Sequence, residues 1–175
     1  MKVLLIDDKT DVTQAIEDRL RFLVRQRGYR ETLTIDSVHD FYDARTHIEQ
    51  KNAENSSYDI IISDLLMPKN GLETDSNWPI GPVLNGWSFL CQNILLQSGK
   101  YYEQYKENVI IIFSAYKDEL NQLVEDRGMG TLYNERITFV EKGRLFDKKG
   151  GYNVLIETVE SYIFNSKKEK KKKKK

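Results

Sequence analysis

Five side chains with chemical capability stand at comparable places in this 175-residue chain, each at or just past the end of a short apolar run. Asp7 and Asp8 follow Lys-Val-Leu-Leu-Ile, Asp64 follows Tyr58–Ser63, Ser114 follows Val109–Phe113, and Lys142 follows Ile137–Glu141. Brought together, three carboxylates repel one another, so some must stay protonated or a cation must neutralise them. Oxygen donors without histidine or cysteine select a hard cation, and Mg²⁺ tolerates a site of one or two carboxylates completed by water. A lysine offers a point charge to a phosphate, and a hydroxyl donates a hydrogen bond to it. An aspartate in that setting can attack phosphorus, with a metal balancing the incoming charge. The residue types alone therefore point to an Mg²⁺-dependent aspartyl-phosphate site.

Convergence requires a scaffold that brings strand ends to one edge. Short apolar runs closed by polar residues read as buried strands at 2–6, 58–63, 109–113 and 137–140, with a further strand at 32–36. Between them, apolar residues recur at helical spacing. Val12, Ala15, Ile16, Leu20, Leu23 and Val24 mark a helix over 11–27, which Gly28 stops. Further helices are expected at 39–50, from about Gly86, at 117–127 and around 154–163, with polar loop at 51–57 and an irregular stretch from Pro68 to Asn85. No internal repeat is visible. Strands alternating with helices predict an α/β fold: a five-stranded parallel sheet, doubly wound, with right-handed crossovers. In such sheets ligands bind outside the carboxyl ends of the strands, which is where the five residues fall.

The strand-end motifs VLLIDD, YDIIISDLLMP, VIIIFSA and FVEK, in that order, resemble the receiver domain of two-component response regulators over about residues 1–164. The resemblance implies a flavodoxin-like receiver fold and a signalling phosphoacceptor, not an enzyme in the ordinary sense, that assists its own Mg²⁺-dependent phosphorylation and dephosphorylation. By position, Asp64 is the implied phosphoacceptor, and Asp7 and Asp8 the acidic pair that holds Mg²⁺ together with Asp64 and the backbone carbonyl of Leu66. Ser114 is the implied hydroxyl that bonds the phosphoryl group, Lys142 the implied lysine that pairs with Asp64 or its phosphate, and Phe139 the implied aromatic switch. Phosphorylation would draw Ser114 inward and bury Phe139, reshaping the face made by the fourth expected helix, the fifth strand and the fifth expected helix. The implied partners are a sensor histidine kinase or phosphotransfer protein upstream, and downstream a protein, or a second copy of the chain, docking on that face.

Three features depart from the pattern. The Asn85-Gly86 pair comes later after Asp64 than similar chains place it, which implies an insertion of roughly fourteen residues within 69–84, long enough to be a functional loop beside the site. It carries Glu73, Asp75 and Trp78. Lys142 is followed by Gly143 where the family has proline, so nothing local enforces the backbone there. Leu66 and Tyr116 occupy the positions that tune loss of the phosphoryl group; an apolar side chain cannot orient water and a bulky one obstructs it, so slow self-dephosphorylation is expected.

Other residues read more plainly. His39 and His47 are expected at the surface, Cys91 as a small buried apolar residue, and Phe22, Trp87 and Phe89 as packing. The lone cysteine excludes an internal disulfide, and no run reaches the roughly 18 apolar residues of a membrane span, so a cytoplasmic protein is expected. A phosphatase of the haloacid-dehalogenase type is disfavoured because the aspartates after the first strand are adjacent, IDDKT, and not spaced Asp-x-Asp. A phosphorylation-independent, degenerate receiver acting as a protein-interaction module is the alternative to the switch.

Zero net charge hides an asymmetry: residues 167–175 hold eight lysines and one glutamate (+7), leaving 19 basic and 26 acidic residues in 1–166 (−7). Residues 165–175 are expected to form a disordered, self-repelling tail that extends the last helix by a turn at most. Nucleic acid or an anionic membrane would be held through these lysines or not at all. A salt titration of binding to duplex DNA is expected to show affinity falling with salt in the full chain and no binding once 167–175 are deleted; equal, salt-independent binding by both would refute a role for the tail.

Overall fold

A computed structural model describes residues 1–28, 33–67, 85–143 and 150–172, with side chains described as far as Ile163. In chain order the elements are β1 (Lys2–Ile6), α1 (Thr10–Gln26), β2 (Thr34–Val38), α2 (Phe41–Ala53), β3 (Ile60–Ser63), α3 (Asn85–Leu90) running into a π-helical turn (Cys91–Leu95), α4 (Tyr102–Tyr105), β4 (Val109–Ser114), α5 (Lys117–Asp126), α6 (Gly130–Arg136), β5 (Ile137–Glu141) and α7 (Gly151–Lys172). All strand pairs are parallel, in the order β2-β1-β3-β4-β5. That order is consistent with a flavodoxin-like arrangement, whose connections reverse direction between β1 and β3.

Both sheet faces are covered, which explains why the inner strands read as unbroken apolar runs. Leu4 and Ile6 of β1, Ile61 of β3, and Ile110 and Ile112 of β4 pack with Phe41, Ala44, Ile48, Trp87, Phe89, Ile94, Leu120 and Val124 beneath α2, α3 and α5. Their neighbours Val3, Leu5, Ile60, Ile62, Ile111 and Phe113 point the other way, into a core closed by Val12, Ile16 and Leu20 of α1 and Leu155, Ile156 and Val159 of α7. Tyr152 donates its hydroxyl hydrogen to the carbonyl of Ala15, and Arg27 pairs with Glu160, so α1 and α7 are also tied by polar contacts.

Elements with a strong apolar period lie close to their expected places, and the others shift. β2 runs 34–38 instead of 32–36, because in-register pairing with β1 (Lys2 with Thr34, Ile6 with Val38) sets its bounds more firmly than its weak alternation does. α2 begins at Phe41 because Asp40 caps it, accepting the Asp43 amide at 2.7 Å, and it carries on through part of the expected 51–57 loop to Ala53. Two short helices, α4 and α6, add to the five expected; no residue of α6 is buried, so it carries no apolar stripe to read. Gly28, the expected stop, follows α1 with φ +64°. The last helix continues as backbone to Lys172. The expected insertion at 69–84 lies outside the described residues. No described helix is long and apolar enough to cross a membrane.

Candidate functional site

Strand register sets the site. Because Ile6 pairs with both Val38 and Ser63, β1, β2 and β3 end level, and the ladder extends one bond further: Asp7 donates its amide to Val38 O (3.1 Å) and Asp64 donates its amide to Ile6 O (2.8 Å). On the other side Ser114 pairs with Glu141, and Lys142 donates its amide to Ser114 O at 2.9 Å. Asp7, Asp64, Ser114 and Lys142 thus hang from the last rungs of the sheet, the first two flanking the point between β1 and β3 where strand order reverses.

The side chains converge. Carboxylate oxygens of Asp7, Asp8 and Asp64 lie within 4.8 Å of one another. Lys142 Nζ bridges two of them, bonding Asp7 Oδ2 at 2.7 Å and Asp64 Oδ2. Asp64 Oδ1 accepts the amides of Leu65 (2.6 Å) and Leu66 (3.4 Å), so backbone holds one oxygen of this carboxylate and the ammonium the other. Asp7 and Asp64 are 4% and 6% exposed, while Asp8 is less buried than either. The Ser114 side chain is fully buried, and its hydroxyl has no hydrogen-bond partner among the described residues. The Lys142 ammonium also lies 5.5 Å from the centre of the Phe113 ring.

One ammonium among three carboxylates cannot serve them all. Burial pulls the Lys142 pKa down, yet Asp64 and then Asp7 outweigh it and hold it above the ordinary lysine value. Asp7 is the under-compensated member: burial pushes its carboxyl above the ordinary range, Lys142 opposes that without cancelling it, and Asp64 adds repulsion. Hard oxygen donors so closely spaced, with a desolvated carboxylate among them, fit a small divalent cation.

Of the five strand-end residues expected at the site, Asp7, Asp8, Asp64 and Lys142 are brought together, while Ser114 ends β4 next to Lys142, whose amide its carbonyl accepts. Phe139 is half-buried on β5 and packs, with Tyr116, against the core under α2, α3 and α5. Leu66 is half-buried in the turn after Asp64. His39 is exposed as expected, but its Nδ1 donates to the Asp7 carbonyl at 2.9 Å, supporting the acidic turn from β2. No local signal marks that contact, which sheet order creates.

Asn85 and Gly86 have a defined task. The Asn85 side-chain carbonyl accepts the Met67 amide at 3.2 Å while its NH₂ donates to the Met67 carbonyl, and Gly86 donates its amide to Leu65 O at 3.0 Å. A Cβ on Gly86 would lie 2.3 Å from the Asp64 carbonyl oxygen, so only glycine lets α3 sit against the Asp64 turn. These contacts join the two flanks of the intervening segment, 18 residues apart at Met67 and Asn85.

No family model matches the chain, and no curated protein is similar to it. Among solved structures it is similar to a de novo designed protein of the Rossmann 2x3 fold, determined by solution NMR, at 12% identity and a TM-score of 0.47, covering 91% of this chain and 90% of that one.

Asn85→Ala leaves the buried Met67 amide and carbonyl unpaired and is expected to cost about 1–3 kcal/mol in urea unfolding. Gly86→Ala is expected to cost at least as much, about 1–3 kcal/mol or more, because backbone must move; either variant unfolding like wild type would refute the close packing. Because the folded protein holds the Asp7 proton more tightly than the unfolded chain does, stability should fall as pH rises from the ordinary carboxylate range through the raised Asp7 value. Above that window the ionised group is a standing cost. Asp7→Asn should remove that fall and raise Tm at pH 7. Thermal unfolding of both proteins from pH 4 to pH 8 tests this, and an equal or lower Tm for the variant at pH 7 would refute the standing cost.

Proposed function

We propose that the protein is a response-regulator receiver: a phosphorylation-dependent signalling switch that accepts a phosphoryl group on Asp64 from a histidine kinase or phosphotransfer protein and signals by protein–protein contact. The observation that carries this reading is the convergence of three carboxylates and one half-buried ammonium at the carboxyl edge of a parallel sheet, with an unpartnered buried hydroxyl, that of Ser114, on the residue whose carbonyl accepts the Lys142 amide. Asp7, Asp8, Asp64 and the Leu66 carbonyl would hold Mg²⁺, which when bound supplies countercharge to phosphoryl oxygens.

The chain's own residues account for the rest. The two amides on Asp64 Oδ1 fix the carboxylate plane, and the Lys142 bond orients Oδ2. An Asp64 oxygen forms the new bond to phosphorus as the bond to the donor breaks, and the donor leaves with the bonding pair. Lys142 neutralises charge gathering on the transferred group, and Ser114 gains in that group the acceptor its hydroxyl lacks. Drawing Ser114 toward the phosphoryl group pulls on the end of β4. Phe139 on the adjoining β5, half-buried at the margin of the core, is the side chain placed to turn inward in response. The output face comprises α5, β5 and α7. The short α6 joins α5 to β5.

A second reading, the phosphorylation-independent interaction module, draws on one observation: Lys142 already bridges Asp7 and Asp64, as an internal ion pair with a purely structural role would.

Intact-protein mass after incubation with acetyl phosphate separates the two. The expected result is an Mg²⁺-dependent gain of one phosphoryl group in wild type, absent in Asp64→Ala, with slow decay where Leu66 and Tyr116 flank the adduct. No adduct together with undetectable Mg²⁺ binding would overturn the switch and favour the module, and labelling that persists in Asp64→Ala would overturn the choice of acceptor.

A further inference from the structure

Nothing in the local sequence fixes the backbone after Lys142, yet its ammonium sits between two carboxylates. One side of its main chain is held by the sheet, through the Lys142 amide on Ser114 O at 2.9 Å. The other side meets the start of α7. A Cβ built on Gly151 would lie 1.6 Å from the Glu141 carbonyl oxygen, 2.7 Å from the Glu141 carbonyl carbon and 2.8 Å from the Gly143 nitrogen. One built on Gly143 would lie 2.8 Å from the Gly151 nitrogen and 3.2 Å from Gly150 Cα. All these neighbours are backbone, which cannot swing aside as a flexible side chain can. By contrast Gly130, at the start of α6, has nothing within 4 Å of an added Cβ.

We infer that Gly143, Gly150 and Gly151 form a backbone clasp that positions Lys142, with Gly151 as its principal positioning residue; the functional part of this inference rests on the phosphoacceptor reading above. The two residues flanking Lys142 in sequence, Glu141 and Gly143, are the ones the α7 terminus touches. Lys142 is therefore caught between β4 on one side and α7 on the other. Any side chain at 151 must push the helix start and this strand end apart by more than an ångström, and the ammonium reaches Asp7 and Asp64 only from where the clasp leaves it. The clasp does by backbone contact what a rigid residue after the lysine would otherwise do. Placement of a catalytic group matters steeply, since a shift of about 1 Å can cost about 100-fold in rate.

The test compares full-length Gly151→Ala, Gly143→Ala and, as a control, Gly130→Ala. The first readout is the ¹H–¹⁵N signal of the Lys142 ammonium at low temperature and mildly acid pH, identified by its loss in Lys142→Met; two carboxylate bonds protect it from exchange with water. The second sets the rate of acetyl phosphate labelling against Mg²⁺ affinity. In Gly151→Ala the ammonium signal should vanish and labelling slow at least tenfold, with Mg²⁺ affinity within about twofold of wild type. Gly143→Ala should shift both the same way by less, and Gly130→Ala should match wild type. An undisturbed signal in a cooperatively folded Gly151→Ala would overturn the clasp. Should Gly151→Ala fail to fold, Gly143→Ala decides by the same criterion. Absence of the signal in wild type, or its loss in Gly130→Ala as well, would also overturn it. If wild type is never labelled, the phosphoacceptor reading fails by itself, and the ammonium signal still decides whether the clasp holds Lys142.

Discussion

Like-charge repulsion among Asp7, Asp8 and Asp64, only partly offset by Lys142, is the constraint around which the carboxyl edge of the sheet is built. Three carboxylates within 4.8 Å are unfavourable wherever they lie, and here two of them are also desolvated. Removing one partner of a buried charge pair leaves the other uncompensated, so the position of the single ammonium matters more than its mere presence. The surrounding backbone reflects this. Asp7, Asp64 and Lys142 are each the first residue past a strand, where the main chain is still held by a ladder hydrogen bond, and Asp8 follows one residue on.

Rigidity is supplied by contacts between backbones. α3 lies against the Asp64 turn because Gly86 has no side chain, and α7 lies against the Lys142 turn because Gly151 has none. Asn85 adds two hydrogen bonds to Met67. With the flanks closed in this way, the length and composition of the segment between Met67 and Asn85 need not alter where Asp64 sits. Loop closure grows only slowly more costly with length, which makes such an excursion affordable beside a site that demands sub-ångström placement.

How legible each feature was in the sequence follows from the range of the interaction behind it. β1, β3 and β4 are buried on both faces, so they appear as continuous apolar runs, and the residues that end them stand out. α1 is an amphipathic helix with a glycine stop and is almost as plain. The edge strand β2 lies two residues beyond its expected place because its bounds come from pairing with β1. α6 buries none of its residues and α4 is a single turn, so neither leaves a periodic signature. At the site, Asp7, Asp8, Asp64, Ser114 and Lys142 were legible because each is tied to a strand end. His39, the Asn85 clamp and the pairing of Gly143 with Gly151 were not, since each depends on segments distant in sequence meeting in space.

Two features of the site lie uneasily with a purely structural ion pair. Burial raises the Asp7 carboxyl despite its bond to Lys142, so that carboxylate is better matched to more positive charge than one lysine provides. The Ser114 hydroxyl is fully buried with no described partner, a condition that costs about 1–3 kcal/mol. A site selected only for stability would favour an asparagine at 7 and an alanine at 114, which avoid both costs at nearly the same volume. The two costs also differ in kind: the carboxylate calls for a cation, the hydroxyl for an acceptor. A divalent metal beside an oxyanion would answer both at once, and Lys142, which bonds Asp64, would lie close to an oxyanion carried on that residue. Phosphoryl transfer to Asp64, as proposed, would bring that combination, whereas the interaction module would leave both costs unanswered.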